Sequence, residues 1–244
     1  FVYAENTRNT KKLLNFINIK KNCRSFHEHN EDKVTLEIIN QIKNNKNVSI
    51  ISDAGTPAIS DPGYKLIKEC SKQLINYTLI PGPSSVISAA VMSGFPTDKF
   101  TFFGFVPKKL NDQEVCFEGI KEDNKTAIFF ESPKRLEKTI TNLIKVLGKT
   151  RRVSICKEMT KLHEQIFRGS ALEILEDIKK EKILLKGEMV IVIEGTQKNT
   201  NNFVLDKKTK KEFLKKLSVS DAAKLISLVT GQNKRDIYKN LIEI

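Results

Sequence analysis

Residue types that can bind or activate a small molecule gather in loops that directly follow β-rich runs. The run Val48–Ser52 leads into residues 53–63, which read Asp-Ala-Gly-Thr-Pro-Ala-Ile-Ser-Asp-Pro-Gly. Asp53 can accept hydrogen bonds from a ligand hydroxyl or amine, although it could instead cap a helix. Glycine lets a ligand approach the backbone, and proline stiffens the turn. Because these eleven residues are long for a plain connection, the pattern favours a binding loop.

A second loop combines glycine, proline and serine. The run Tyr77–Ile80 is followed by Pro-Gly-Pro-Ser-Ser at 81–85 and then by an apolar helical stretch. Gly82 lets the chain turn, and Ser84 or Ser85 can cap the helix. The amides at the start of that helix can also hold a polar or anionic ligand group. Helix capping alone would explain both serines, so a structural role and a binding role remain open.

Charged residues at strand ends form a third kind of candidate. Glu131 follows the run Thr126–Phe130, and Lys134 and Arg135 stand in the first turn of the next helix. Positive charge there opposes the helix dipole, and a rule broken locally often marks a site. Segments 157–161 (Lys-Glu-Met-Thr-Lys) and 186–188 (Lys-Gly-Glu) place charges beside strands in a similar way. Solvated charges at strand ends are common, so each segment alone is a weak signal.

Short β-rich runs alternate with amphipathic helical stretches before residue 197. The runs are Val48–Ser52, Tyr77–Ile80, Phe100–Val106, Thr126–Phe130, Arg152–Cys156 and Met189–Ile193. The helical stretches are Lys33–Lys43, Ser84–Met92, Lys134–Leu147 and Ala171–Ile178. This alternation predicts an α/β fold with parallel or mixed sheets, in which ligands bind beyond the carboxyl ends of the strands.

The composition excludes several classes of protein. Hydrophobic residues make up 39% and charged residues 29% of the 244, which fits a globular protein with an adequate core. No apolar run approaches the ~20 residues of a membrane-spanning helix, and the N-terminus has no signal-peptide layout. The four cysteines lack zinc or disulfide spacing, which predicts reduced thiols in a cytoplasmic protein without a metal site. The absence of GxGxxG and Walker motifs disfavours a Rossmann dehydrogenase and a P-loop NTPase.

Positive charge is unevenly distributed along the chain. There are 42 Lys and Arg against 29 Asp and Glu, a net +13 that suits a polyanionic partner or reflects compositional drift. Residues 198–244 carry 11 basic and 5 acidic residues, nearly half of the surplus. The polar stretch Gln197–Asn202 predicts a linker in front of them.

The basic tail predicts a helical hairpin. Ser220–Thr230 is expected to form a helix with Ser220 as N-cap and Gly231 at its end. A second helix, Asn233–Ile242, carries Lys234, Arg235 and Lys239, an arrangement similar to helix-turn-helix. An RNA-docking accessory and a packing or dimer-stabilising appendage are both compatible with this pattern.

Taken together, these segments resemble the tetrapyrrole methylase superfamily, the class III S-adenosylmethionine methyltransferases. Within it they are most similar to the family that methylates a cytidine ribose 2′-hydroxyl in the decoding region of small-subunit ribosomal RNA. The segments that carry the resemblance are Ala4–Arg8, Lys11–Leu14, Ser52–Gly63, Pro81–Ser85, Gly94–Pro96, Phe103–Phe105, Glu131–Arg135, Lys157–Lys161 and Lys186–Glu188. They span essentially the whole chain in family order, and SDAGTPAISDPG at Ser52–Gly63 is highly specific.

The resemblance implies two α/β domains, 1–97 and 98–197, a cleft between them that holds S-adenosylmethionine, and a homodimer. On the cofactor side of the cleft it places Asp53, Ala54, Gly55, Thr56, Pro57, Gly82, Ser84, Ser85, Phe103, Gly104 and Gly187. Around the cleft, facing cofactor or RNA, it places Glu5, Arg8, Glu131, Arg135, Glu158 and Glu188. In the tail, Lys234 and Arg235 would contact the substrate, either small-subunit ribosomal RNA or the small ribosomal subunit.

Two departures from the family pattern bear on the site. The family's first strand, with its Thr-Pro-Ile-Gly-Asn loop, is missing, which leaves open whether this chain is a fragment and whether its cleft is complete. Asn6 stands where the family has Asp, which puts an acidic role there in doubt, although an amide could keep a hydrogen bond.

The implied chemistry is an in-line methyl transfer from a sulfonium to a ribose oxygen, for which the protein mainly aligns the reacting groups. Glu131 and Glu158 are the candidate general bases. Two alternatives differ in class. A small-molecule tetrapyrrole methylase is opposed by the form of the Ser52–Gly63 segment and by the basic tail, and a non-catalytic RNA-binding protein would bind RNA without the cofactor.

Overall fold

The computed structural model describes residues 1–196, 207–230 and 233–242. Two compact units are present, residues 1–195 and residues 196–244. The predicted linker Gln197–Asn202 and the predicted helix end at Gly231 lie outside the described residues. The boundary between residues 97 and 98 stays a prediction.

The first part of the larger unit is built on a small parallel sheet. Its strands are β1 (Val2–Ala4), β2 (Cys23–Ser25) and β3 (Ser49–Ile51), in the order β2-β1-β3. Three helices accompany them: α1 (Thr7–Phe16), α2 (Glu31–Lys43) and α3 (Tyr64–Lys72). Tyr3, Phe26 and Ile38 are fully or almost fully buried in the core that these elements share. All three strands point the same way, so the loops that follow them open at one edge of the sheet.

A five-stranded mixed sheet forms the rest of the larger unit. Its strands are β4 (Phe100–Phe105), β5 (Thr126–Glu131), β6 (Arg152–Lys157), β7 (Gln165–Ser170) and β8 (Met189–Ile193). The order is β4-β5-β8-β6-β7, with β4 parallel to β5 and the other pairs antiparallel. Its helices are α4 (Ser85–Ser93), α5 (Leu110–Ile120), α6 (Pro133–Leu147) and α7 (Ala171–Lys179). Residues of α4 join one buried cluster with the sheet, and those of α5, α6 and α7 join another, so helices cover both faces.

These elements confirm the predicted α/β fold with parallel and mixed sheets. Five of the six predicted strands and all four predicted helices form, with ends shifted by no more than two residues. The strand prediction for Tyr77–Ile80 was wrong, because that run pairs with no strand and its four side chains are exposed. A β-rich sequence needs a neighbouring strand to satisfy its backbone, and composition alone does not supply one.

The smaller unit contains α8 (Lys207–Lys216), α9 (Val219–Thr230) and α10 (Lys234–Ile242). The predicted hairpin is α9 and α10, which pack through Ala222, Ala223, Ile226, Ile237 and Leu241. The N-cap prediction was wrong, since Ser218 Oγ accepts a hydrogen bond from the Asp221 amide at 3.2 Å and the helix starts before Ser220. Among the described residues no helix is long and apolar enough to cross a membrane.

Candidate active site

A cleft of about 550 Å³ lies within the larger unit, between the loop after β3, the N-terminus of α4 and the loops beside β4, β5 and β8. This size is typical of a pocket for a small-molecule ligand or cofactor. Ten of the residues predicted for the site line it: Glu5, Asp53, Ala54, Gly55, Thr56, Ser84, Ser85, Glu131, Gly187 and Glu188. The predicted loops therefore converge on one cavity, although they come from both sheets.

The loop of residues 53–63 is held at both ends by carboxylates. Glu5 Oε2 accepts a hydrogen bond from the Asp53 amide at 3.1 Å, and the Asn9 side chain donates to Asp53 Oδ2 at 3.1 Å. At the other end, Glu31 Oε1 accepts from the Gly63 amide at 2.8 Å. Because Glu31 is buried, this anchor is shielded from water. Sequence reasoning missed Glu31, since 32 residues separate it from its partner.

Two non-glycine residues of this loop have left-handed backbone conformations. The φ angles of Ala58 and Ser60 are 66° and 61°. Such conformations carry strain and persist where the surrounding structure enforces them, often in ligand-binding loops. Ser60 also lines the cleft, so the strained segment is part of its wall.

A β-bulge at the end of β4 shapes the opposite wall. The pairing of β4 with β5 shifts register between Phe102 and Phe105, and Gly104 lies there with φ of +73°. A residue with positive φ in a bulge bends the strand, and Phe105 beyond it lines the cleft. Phe103 instead stacks on the buried Phe129 ring, with centroids 4.8 Å apart. Phe103 and Gly104 thus shape the wall without lining the cavity, and Pro57 and Gly82 do not line it either.

Glu131 is a fully buried carboxylate that three donor groups contact. Its Oε1 accepts from the Ser132 amide at 2.6 Å and pairs with the Arg135 guanidinium at 2.5 Å. Its Oε2 accepts from the Thr139 hydroxyl at 2.6 Å. Arg135 also donates to the carbonyl oxygens of Val106 and Pro107, so it links the end of β4 to the start of α6. Both oxygens are engaged, which favours a positioning role for Glu131 over proton transfer.

Glu158 connects the segment that follows β6 to the segment that precedes β8. Its Oε1 accepts from the Glu188 amide at 2.6 Å, and its own amide donates to the Glu188 carbonyl at 2.9 Å. The hydrogen bond from the Glu188 amide lowers the pKa of Glu158, and Lys161 lowers it further. A low pKa makes a carboxylate a weak base near neutral pH. Glu158 itself does not line the cleft, but Lys161, Gly187 and Glu188, which it holds together, do.

The contact between Glu158 and the segment before β8 requires glycine at position 187. Its φ is +81°, and a Cβ added there would lie 2.5 Å from Glu158 Oε1. A side chain at this position would therefore meet both backbone strain and a direct clash.

Asp61 is a carboxylate of the cleft that sequence reasoning did not select. Burial, and then the charges of Glu5, Glu188 and Asp53, raise the pKa of Asp61 to about 6, while a hydrogen bond with Ser52 opposes the change. A carboxyl group with a pKa near neutrality can accept and release a proton at physiological pH. The available signal was a second carboxylate in the same glycine- and proline-rich loop.

Predicted substrate-contacting residues fall into four environments. Glu5 lines the cleft, Arg8 is exposed on the first turn of α1, and Arg135 is engaged with Glu131. Lys234 and Arg235 are exposed on α10 in the smaller unit. Asn6 keeps the hydrogen bond expected of an amide, because its side-chain oxygen caps α1 through the Arg8 and Asn9 amides at 3.1 and 3.4 Å.

The electrostatics of the cleft suit a ligand with separated charges. Besides Glu131, which is paired with Arg135, four carboxylates line it: Glu5, Asp53, Asp61 and Glu188. Lys161 pairs with Glu188 at one side. Four carboxylates in one concave surface attract a cation. At the N-terminus of α4, where Ser84 accepts from the Ile87 amide at 3.5 Å, unpaired helix amides favour a carboxylate or phosphate. Among residues 1–196, 207–230 and 233–242, no group of three or more His, Cys, Asp and Glu is arranged to hold a metal ion.

Comparison with known proteins gives a consistent assignment. A family model described as Tetrapyrrole (Corrin/Porphyrin) Methylases matches residues 1–175. A Thermotoga maritima protein named ribosomal RNA small subunit methyltransferase I is 43% identical over 80% of this chain and 86% of its own length. A protein of the same name from Haemophilus influenzae is 34% identical over 98% of this chain and 85% of its own.

Solved structures give the same fold. The crystal structure of diphthine synthase has a TM-score of 0.58 and 13% identity, and the match covers 79% of this chain and 78% of that one. At this identity the likeness concerns the fold alone. It confirms the predicted fold class, in which two α/β parts are followed by C-terminal helices.

Proposed function

Since this chain belongs to the tetrapyrrole (corrin/porphyrin) methylase family, we propose that it transfers a methyl group from S-adenosylmethionine to small-subunit ribosomal RNA. The observation that carries the proposal is the 43% identity, over most of both chains, to a protein named as such a methyltransferase. We propose a cytidine ribose 2′-hydroxyl in the decoding region as the acceptor. The substrate is then the RNA itself or the small ribosomal subunit.

The cleft fits S-adenosylmethionine in volume and in charge. Its four carboxylates match a ligand that carries an amine and a sulfonium, and the amides at the start of α4 match a carboxylate. We assign cofactor contacts to Asp53–Thr56, to Ser84 and Ser85 and to Gly187, which line the cleft. Phe103 and Gly104 shape the wall at the β4 bulge, and Pro57 and Gly82 belong to loops whose other residues line the cleft. When bound, the cofactor supplies an electrophilic methyl carbon, and the protein's own task is alignment and proton removal.

We assign proton removal to Asp61. The ribose hydroxyl is weakly acidic, so a carboxylate that accepts its proton assists the transfer. Asp61 lines the cleft and is surrounded by other carboxylates, which favours its protonated form after the transfer. Glu131 and Glu158 hold the walls of the cleft instead, since both carboxylate oxygens of Glu131 and Oε1 of Glu158 already accept hydrogen bonds from the protein. Thr139 and Arg135 keep Glu131 in place and thereby fix the turn at Ser132, which lines the cleft.

The tail is assigned to RNA docking. Lys234 and Arg235 are exposed at the start of α10, where they can contact phosphates. We further propose that the protein is a homodimer and acts in the cytoplasm, where the ribosomal subunit is assembled. Light scattering at micromolar concentration tests the dimer, and a monomer mass would contradict it.

Transfer of a radiolabelled methyl group tests the function. The acceptors are undermethylated small ribosomal subunits, free small-subunit RNA and a precorrin. We expect label in the subunits or the RNA, on a cytidine ribose, and none in the precorrin. Label in the precorrin alone would identify a small-molecule methylase. RNA binding without transfer, by a chain to which any preceding segment has been restored, would contradict the enzymatic assignment.

A further inference from the structure

A second concentration of positive charge, besides the tail, lies near the start of the chain. Residues 6–27 contain six Lys and Arg and no Asp or Glu, the same net charge of +6 that residues 198–244 carry. The six are Arg8, Lys11, Lys12, Lys20, Lys21 and Arg24. They lie on α1, on the connection that follows it and on β2. Such a concentration has an electrostatic cost that a polyanion would relieve.

Five of these six cations lack a carboxylate partner among the described residues. Arg24 pairs with Glu37, while Arg8, Lys11, Lys12, Lys20 and Lys21 are exposed and form no ion pair there. Lysines elsewhere in the larger unit frequently have one, as Lys65 does with Asp32 and Lys145 with Glu114. Unpaired, exposed cations keep their full charge for a ligand.

Three of these lysines surround a groove. The groove has a volume of about 480 Å³ and is lined by Lys11, Lys20 and Lys21 together with Leu14, Asn15, Ile19 and Asn22. Phe16, at the end of α1, is 85% exposed. Cations, side-chain amides and an exposed aromatic ring are the groups that bind phosphates and stack on unpaired bases. An anionic membrane surface would not require a concave site lined with amides.

The groove is connected to the reaction cleft by a rigid element. Asn9 of α1 donates to Asp53, which lines the cleft, so the start of the helix is fixed beside it. The ten residues of α1 extend about 15 Å from there, at 1.5 Å per residue. A strand whose ribose enters the cleft could therefore pass along α1 and reach the groove.

We propose that Lys11, Lys20 and Lys21 form a phosphate-binding groove for the RNA substrate, separate from the basic tail. Phe16 stacks on a base of the same strand, and Arg8 and Lys12 contact phosphates between the groove and the cleft. This inference rests on the proposed function in one respect, namely that the ligand is RNA. The main positive charge for RNA docking then lies on the larger unit, which also contains the cleft where the ribose would be methylated.

A salt titration of RNA binding tests the groove. The full chain and the triple variant Lys11→Ala, Lys20→Ala, Lys21→Ala are titrated with fluorescein-labelled single-stranded RNA of mixed sequence. The matched control replaces Lys138, Lys149 and Lys179, which are exposed on or beside α6 and α7 and do not line either cavity. Each single-strand contact contributes about 0.7 to the slope of log affinity against log salt. We expect the triple variant to lose about 2 from the slope and to bind about 100-fold more weakly near 0.1 M salt.

A second variant separates stacking from charge. Phe16→Ala is expected to weaken RNA binding about tenfold at every salt concentration, since loss of a stacked base is independent of counterions. S-adenosylmethionine binding, measured by calorimetry, should be unchanged in all of these variants.

The outcomes distinguish this proposal from the proposed function. If the triple variant binds RNA as the control variant does, or if the parent chain binds none, the groove is not an RNA site. Groove-dependent binding to phosphatidylserine vesicles without an effect on RNA would also overturn it. If groove-dependent RNA binding persists but no methyl transfer occurs, the proposed function fails and the groove stands.

Discussion

Replacing Asp61 by Asn should make the protein more stable and less active. The folded state holds Asp61 among Glu5, Asp53 and Glu188, which together with burial raise its pKa from 3.8 to about 6. Between these two pH values the folded protein binds more protons than the unfolded chain, so stability falls as pH rises through this window. Above about 6 the cost is fully present. Asparagine is uncharged at every pH, so the substitution removes the cost of ionising residue 61 in the folded state.

The magnitude follows from the shift and from the exposure of Asp61. A pKa change from 3.8 to about 6 corresponds to about 3 kcal/mol at full strength. Asp61 is only partly buried, so solvent screening reduces the expected gain to about 1–2 kcal/mol. For a chain of this length that gain raises Tm by roughly 2–8 °C at pH 7.5. At pH 4 the variant and the parent should differ by only a small part of this gain, because the folded state holds the proton and the unfolded state, with a pKa of 3.8, holds it in part.

Activity should change in the opposite direction. If Asp61 is the general base, Asp61→Asn lowers turnover by about 10²–10⁴-fold. In the parent, kcat/KM should rise with pH up to about 6 and then level off, and the variant should lose this dependence. Cofactor affinity should fall by less than about tenfold, since three carboxylates remain in the cleft.

The assays are thermal denaturation from pH 4 to pH 8, calorimetric cofactor binding and single-turnover methyl transfer. Asp98→Asn, in an exposed loop, is the control for loss of one negative charge. The reasoning is refuted if Asp61→Asn matches the parent in Tm at pH 7.5 and retains near-parental turnover. Greater stability with unchanged turnover would keep the electrostatic part and remove the base assignment.

Three further substitutions test the walls of the cleft and the tail. Glu131→Gln should cost about 1.5–3 kcal/mol in denaturant unfolding, because a charged acceptor with three donors is lost, whereas Glu137→Gln on the exposed face of α6 should be neutral. Gly187→Ala should lower the free energy of unfolding by at least about 1 kcal/mol and weaken cofactor binding. The control Gly119→Ala, inside α5, should raise the free energy of unfolding by about 0.5–1 kcal/mol. Equal effects of the two substitutions would contradict the predicted clash with Glu158. The pair Lys234→Ala, Arg235→Ala should reduce the salt slope of RNA binding by about 1.4 and leave cofactor affinity unchanged; an unchanged slope would remove the tail from the docking surface.

Much of the fold was predictable because its signals are local. Hydrophobic periodicity located α2, α4, α6 and α7, and runs of β-branched and aromatic residues located most of the central strands. The strands β1 and β2 have three residues each, too few for a periodic pattern. Tyr77–Ile80 had the composition of a strand but no pairing partner. Strand formation depends on a neighbour that composition does not specify.

The composition of the site was more predictable than the roles within it. Loops rich in glycine, proline and hydroxyl residues identified most of the cleft wall, because such loops are rarely needed for structure alone. The anchor at Glu31 could not be predicted, since it forms only when α2 packs beside α3. The bulge at Gly104 was likewise invisible, because it depends on the register between β4 and β5.

Hydrogen-bond occupancy separates structural carboxylates from reactive ones in this cleft. Basic residues at the start of α6 are unfavourable for the helix dipole and therefore suggested a site. In the structure, Arg135 pairs with Glu131 and donates to the carbonyl oxygens of Val106 and Pro107. The basic residue therefore stabilises a wall of the cleft. Oε1 of Glu158 likewise accepts a hydrogen bond from the Glu188 amide. Asp61 is hydrogen-bonded to Ser52 and otherwise faces like charges. A carboxylate that is destabilised by its neighbours gains most from a proton, and in this cleft that position is Asp61.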